Sequence, residues 1–291
     1  MRRERIVLAC VGCVVLAMGG TASGDLMPLV ESVAAAPGPG GLDEAEGMFF
    51  AEAHGYSTFG WLAGSEAHAL VDTTPGAEGI HRSWSQITAH DPYLGGFMDG
   101  GSDAESFKPF VIESDTLPAG TPVAVTVSTS VYGTLEASEG YQNLYAWARG
   151  AFMLQVADAS SEDLLVDEAG EATVTAFHDH YETSTTDAWD GLLSETATPG
   201  VYEIDYGDEL VFLGEVGGRY TIEFEMTTSV RTSEGATTDT YDDTFAKSYF
   251  WETGEYLLSS PCDVSFVPFP EPAGLMLMAG GALLLALPRR R

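Results

Sequence analysis

From residue 123 to residue 131 the chain alternates. Val123, Val125, Val127, Thr129 and Val131 fall on one face, and Ala124, Thr126, Ser128 and Ser130 on the other. Successive side chains point to opposite sides of a strand, so a period of two predicts a strand with one buried face and one wet face. The pattern returns at Ala146, Ala148, Gly150, Phe152, Leu154 and Val156. It is clearest at Tyr220, Ile222, Phe224, Met226, Thr228 and Val230, with Arg219, Thr221, Glu223, Glu225, Thr227, Ser229 and Arg231 facing out. Further strands are predicted over residues 172–181, 201–206, 209–216, 240–251 and 256–267. Gly207-Asp208 reads as a break and Gly217-Gly218 as a turn. About eight or nine antiparallel strands, each wet on one face, predict an all-β body over residues 48–268, an antiparallel β-sandwich of jelly-roll type.

The pattern fails elsewhere. Residues 48–101 hold scattered aromatics, glycines and four of the six histidines without a sustained period, and short strands and loops are predicted there. Residues 25–47 read as a linker, with Pro37-Gly38-Pro39-Gly40-Gly41 at their centre. Residues 1–24 have a basic start (Arg2, Arg3, Arg5), an apolar run over 6–20 and the small residues Ala22-Ser23-Gly24. That order predicts a signal peptide cut before Asp25.

Composition sharpens the picture at one point. The formal net charge is −32, from 12 basic and 44 acidic residues. Three arginines lie at each end, so 12 less 6 leaves 6 basic residues between Asp25 and Pro268; only Glu4 and Glu271 lie outside that stretch, so 42 of the 44 acids lie within it, a net of −36. Such a body repels phosphate backbones, and nucleic acid is excluded as a partner. Cys10 and Cys13 fall in the signal segment. Cys262 alone remains in the body, so no intramolecular disulfide is expected.

Candidate chemistry is sparse. In a strand, His178 and His180 would share a face and could reach one metal ion, or simply mark a polar strand end. Asp239, Asp242 and Asp243 cluster, as do Asp187 and Asp190, and carboxylate oxygens suit calcium. Neither group has EF-hand spacing, and chance clusters are expected among so many acids. Trp61, Trp84, Trp147, Trp189 and Trp251 can stack on sugar rings or fill a core. No P-loop, dinucleotide fingerprint, HExxH or nucleophile elbow is present, and no catalytic residue is assigned.

The C-terminus is more specific. Pro270-Glu271-Pro272 precedes an uncharged run over residues 273–287, and Arg289, Arg290 and Arg291 follow. As a helix the run would span about 22 Å, short of the roughly 30 Å of bilayer hydrocarbon, which suits a transient anchor better than a permanent one. The arginines favour the cytoplasmic side. These three features in this order resemble a PEP-CTERM sorting tail, over about the last 23 residues (269–291). The resemblance implies handling by an exosortase-type membrane enzyme, removal of the tail near the motif, and delivery to the cell surface or an extracellular polysaccharide matrix. It implies nothing about the fold of the body. The expected function is therefore that of an exported, non-enzymatic surface, matrix or biofilm protein. A secreted carbohydrate-binding module is the alternative, and a secreted glycan-active hydrolase a third.

Overall fold

The alternating stretches form strands. The computed structural model describes residues 29–35, 42–47, 50–59, 63–73, 78–89, 97–138, 145–177, 179–233 and 244–268, and the expected signal peptide and sorting tail lie outside them. Among the described residues the strands run in chain order as β1 (Leu29–Ala35), β2 (Leu42–Gly47), β3 (Phe50–Phe59), β4 (Ala63–Asp72), β5 (Glu78–Ala89), β6 (Phe97–Glu113), β7 (Pro122–Ala137), β8 (Ala146–Asp158), β9 (Leu164–Ala176), β10 (Tyr181–Asp187), β11 (Ser194–Glu195), β12 (Val201–Glu215), β13 (Arg219–Ser233), β14 (Thr244–Ser259) and β15 (Ser265–Pro268). All pairings are antiparallel. Among the described residues there is no helix, hence none able to cross a membrane.

Two sheets result. The first, sheet A, has the order β10-β9-β8-β13-β6-β1-β2, with β15 also on β6. Sheet B has the order β11-β12-β7-β14-β5-β4-β3. The sheets face each other, with β13 over β5 and β14, and β8 over β14. The chain changes sheet between β2 and β3, at each step from β5 to β8, between β10 and β11, and at each step from β12 to β15.

Several expectations are corrected. Much of the segment read as a linker is strand: β1 pairs with β2 and with β6, so its backbone groups are satisfied in a ladder that Pro-Gly content does not register. Residues 48–101 hold long strands rather than short ones, with β3 and β4 of 10 residues each, β5 of 12 and the start of the 17-residue β6. The chain runs straight through Gly207-Asp208 in β12, held by pairing with Ser130 and Thr129 of β7. The window 172–181 straddles the turn between β9 and β10. The windows 240–251 and 256–267 meet in one bulged strand, β14, followed by the short β15.

The core lies between the sheets, and aromatic rings fill its centre. Trp189, from the turn after β10, is fully buried and stacks on Phe250 of β14 with ring centroids 5.5 Å apart and planes 3° from parallel. Phe152 of β8 lies 5.2 Å from Trp189 on another side. Phe250 reaches this position because the residues beside it lack side chains. A Cβ on Gly133 of β7, or on Gly150 of β8 in the opposite sheet, would overlap its ring. Toward β5 the filling changes to small hydroxyl residues. Ser83 of β5, Ser102 of β6 and Thr228 of β13 form a closed triad, with Oγ–Oγ 2.6 Å between the serines and 3.2 and 3.0 Å from them to the threonine Oγ1. Each buried hydroxyl thus has a partner, and the triad stitches sheet B to sheet A.

Two titratable side chains also point inward. His81 of β5 is fully buried, with Nε2 2.6 Å from the Ser106 hydroxyl. Burial lowers its pKa from 6.5 to about 3, so the folded protein holds it neutral. Lys108 of β6 is buried too. Burial lowers its pKa to about 8, against the opposing pull of Glu78.

Two outcomes are expected. Gly150→Val should destabilise the fold by on the order of 3 kcal/mol, because the new side chain meets a ring that cannot move aside, and Phe250→Ala by about 3–5 kcal/mol through the cavity it leaves. Denaturant melts of both variants check this. His81 gives a pH dependence. Its folded pKa lies below its unfolded value, so the unfolded chain binds more protons between pH 6.5 and about 3. The contribution to stability is fully present above 6.5 and is lost as pH falls through that window, at up to about 1.4 kcal/mol per unit. His81→Gln removes this titration while the carboxylates stay the same. Its stability, followed by melts from pH 7 to pH 3.5, should fall less steeply than that of the parent protein.

Candidate functional site

The outward face of sheet B departs from an ordinary wet face. β3, β4 and β5 turn their small residues inward: Ala51, Ala53, Ser65, Ala67, Ala69, Ser83 and Ser85 are buried. Val71, His81 and Ile87 also point inward, and the other large residues point outward. The register carries His54 of β3, His68 of β4, Trp84 of β5 and Tyr249 of β14 side by side in one row. Tyr56, 58% exposed, stands two residues along from His54.

A bulge follows the last ring. Phe250 pairs with Ser83 and Glu255 with Ile80, five residue steps on β14 against three on β5. Phe250 points into the core and half-buried Trp251 outward by strand alternation, and the extra length keeps Glu252 exposed as well. Bulges re-aim side chains in this way and recur beside functional sites. Gly254 closes the bulge where the chain passes so close to the His81 carbonyl oxygen that a Cβ would stand 2.5 Å from it.

The rings form a continuous surface. His68 lies 4.2 Å from Trp251, 5.0 Å from His54 and, edge-on, 6.5 Å from Trp84, which is 6.5 Å from Tyr249. Charges frame them. Nε2 of His54 is 2.8 Å from Glu66 Oε1, and Nε2 of His68 is 2.8 Å from Glu52 Oε1, so each imidazole joins the neighbouring strand's carboxylate. Gln86 Nε2 donates to the other oxygen of Glu66. The Arg82 guanidinium carbon sits 5.9 Å from the Trp251 ring centre, and Lys247 Nζ 4.7 Å from that of Tyr249, both within reach of cation–π attraction.

The outward face of sheet A contrasts with this. Glu223 and Glu225 of β13 line up there with Asp103 and Glu105 of β6 on the same outward side. Burial raises the pKa of Glu223, with Glu225 adding to the effect. Arg149 is bound to Glu171 at 2.8 Å, and Arg231 is bound to Asp99 while lying over Trp147.

The residues singled out from sequence separate clearly. Trp84 and Trp251 belong to the sheet B surface. Trp189 is core, and Trp147 is covered by Arg231 on sheet A. Trp61 lies outside the described residues, as do His178, Asp239, Asp242, Asp243, Pro270, Glu271, Pro272, Arg289, Arg290 and Arg291. Asp179 and His180 lie between β9 and β10 rather than in a strand, and the Phe177 N–H donates to the His180 carbonyl. His180 instead stacks on Phe177 and bonds Asp179 and Glu182, which raises its pKa. Asp187 and Asp190 flank Trp189 in the turn that drives that ring inward, and the Asp190 N–H bonds the Asp187 carbonyl. Among the described residues no group of three or more His, Cys, Asp or Glu is placed to hold a metal ion.

Sequence reading missed His54, His68, Tyr249, Arg82, Lys247 and the paired glutamates. The available signal was an inverted alternation over residues 50–89, with alanine and serine on one face and histidine, tyrosine and tryptophan on the other. No known family model and no curated protein matches this chain.

Proposed function

We propose that this is an exported, non-enzymatic surface or matrix protein whose β body holds polysaccharide on the outward face of sheet B. The observation that carries the reading is the joined surface of His54, His68, Trp84, Tyr249 and Trp251. Aromatic faces present an apolar plane to the C–H side of a sugar ring, and the polar groups around them offer hydrogen bonds to hydroxyls. Cross-strand packing alone accounts for one or two such pairs. It does not account for a row of outward rings across β3, β4 and β5 backed by small inward residues at Ala53, Ala67, Ala69, Ser83 and Ser85. An open sheet face suits binding rather than hydrolysis, which needs two carboxyl groups flanking one bond, and Glu52 and Glu66 are each engaged by an imidazole. The jelly-roll topology belongs to this proposal as well, supported by the repeated changes of sheet along the chain.

Delivery rests on the tail. In this reading the signal peptide directs export, the apolar run over 273–287 anchors the chain for a time, and an exosortase-type enzyme cuts near Pro270-Glu271-Pro272. The last strand, β15, ends at Pro268, two positions before the motif, so a cut there would leave every described strand whole. Calcium has no assigned place in the binding step.

Two measurements test the proposal. Affinity electrophoresis of the purified chain in gels cast with soluble polysaccharides should show retardation, and Trp84→Ala and Trp251→Ala should each abolish it with little change in melting temperature. Mobility unaffected by either substitution would remove the face from the proposal. Mass spectrometry of the protein recovered from the extracellular fraction should find residues 273–291 missing. Intact tails on most molecules would point to a permanent anchor instead.

A further inference from the structure

In so acidic a body, cations without a carboxylate partner are unexpected. Of the six basic residues of the body, Arg149 and Arg231 are held in ion pairs, and Lys108 and Arg219 also have partners. Among the described residues, Arg82 and Lys247 form no ion pair. Lys247 is aligned with Glu136 across the strand pair and still does not contact it within ion-pair distance. The Arg82 Nε is enclosed and has no acceptor among the described residues. Both side chains lie on the sheet B face, each over a ring of the aromatic surface.

Their placement is regular. Lys247 aligns with Gln86, and Arg82 lies four residues before Gln86 on β5, so strand geometry sets their Cα atoms about 14 Å apart. Trp84 stands between them on β5, Tyr249 follows Lys247 by two residues on β14, and Trp251 lies under Arg82. The order across the face is thus cation, rings, cation.

We infer that this face recognises a polysaccharide bearing carboxylates, a uronate-containing glycan, with sugar rings on Trp84, Tyr249 and Trp251 and carboxylates at Arg82 and Lys247. This rests on the proposal that the face binds glycan, and it adds the class of ligand. A guanidinium matches a carboxylate in geometry and charge, and a charge-assisted bond is roughly twice as strong as a neutral one. The body's own negative field acts in the opposite direction at long range. At about 0.15 M salt the Debye length is about 8 Å, so the two nearby cations dominate at the face while a densely charged polymer is still repelled by the rest of the molecule. The surface therefore favours carboxylates carried on sugar rings over more densely charged polyanions that lack rings.

The test uses the full-length chain and three probes: a β-1,4-linked glucuronic acid tetrasaccharide, its carboxyl-reduced glucose counterpart, and inorganic polyphosphate. Calorimetry in about 0.15 M salt should show the uronate bound about tenfold more tightly than the neutral sugar. Arg82→Gln and Lys247→Gln should each reduce the ratio of the two affinities several-fold, and Arg82→Lys should restore part of it. Equal binding of uronate and neutral sugar by the parent chain would overturn this inference and leave the glycan-binding proposal standing. Binding of neither sugar would overturn both. Polyphosphate bound as tightly as the uronate would also overturn it, since charge without sugar would then suffice.

Discussion

The Phe250 ring is the point on which the two sheets close. It comes from β14 in the middle of sheet B, lies against bare backbone at Gly133 in its own sheet and at Gly150 in the other, and is capped by Trp189. Interiors pack at crystal-like density, so a ring held on several sides fixes the distance and relative position of the layers around it. Trp189 arrives on a turn rather than a strand, and that turn carries a left-handed residue at Asp187 and a glycine at Gly191. A piece of loop therefore completes the core, and β10 and the chain beyond it are tied to the centre through one indole.

The same segment joins core to surface. Phe250 and Trp251 are neighbours in the chain, and strand alternation seals one between the sheets and sets the other on the outer face, just ahead of the bulge. A ring on a free strand would swing; here the residue before it is among the most constrained in the protein. Nearby, the hydroxyl triad of Ser83, Ser102 and Thr228 sits directly behind the strand that carries Trp84, and Ser102 also donates to the Trp84 carbonyl at 3.1 Å. The aromatic surface is therefore backed by a hydrogen-bonded layer.

Legibility in the sequence followed side-chain size. Strands β7, β8 and β13 were plain because valine, leucine, isoleucine and phenylalanine alternate with polar residues there. Strands β3, β4 and β5 were not, because alanine and serine fill the inner positions and rings the outer ones, so a hydrophobicity period points at the wrong face or at none. In β14 the bulge leaves Glu252 exposed at a position the alternation assigns to the core, and one strand reads as two. Gly207 and Asp208 read locally as a break between two strands, yet pairing with β7 overrides local preference. Of the aromatic surface, only Trp84 and Trp251 could be named beforehand. Its other members become neighbours through register between strands up to about two hundred residues apart in the chain, and no local pattern reports that.

Strand β6 has a further consequence. It takes β1 on one edge, β13 on the other, and β15 near its end, so it is met by strands from both extremities of the described chain. A polypeptide emerging N-terminus first brings out β1 and β6 early, but β13 and β15 only after more than a hundred further residues. Sheet A consequently waits, with one side of β6 open, until nearly all of the body is available. Folds dominated by such distant partners close in milliseconds to seconds rather than microseconds. During that interval an open edge can recruit a foreign strand. The acidic side chains along it, Asp103 and Glu105, would then act as guardians of the unfinished molecule, keeping identical chains apart until the last strand is in place.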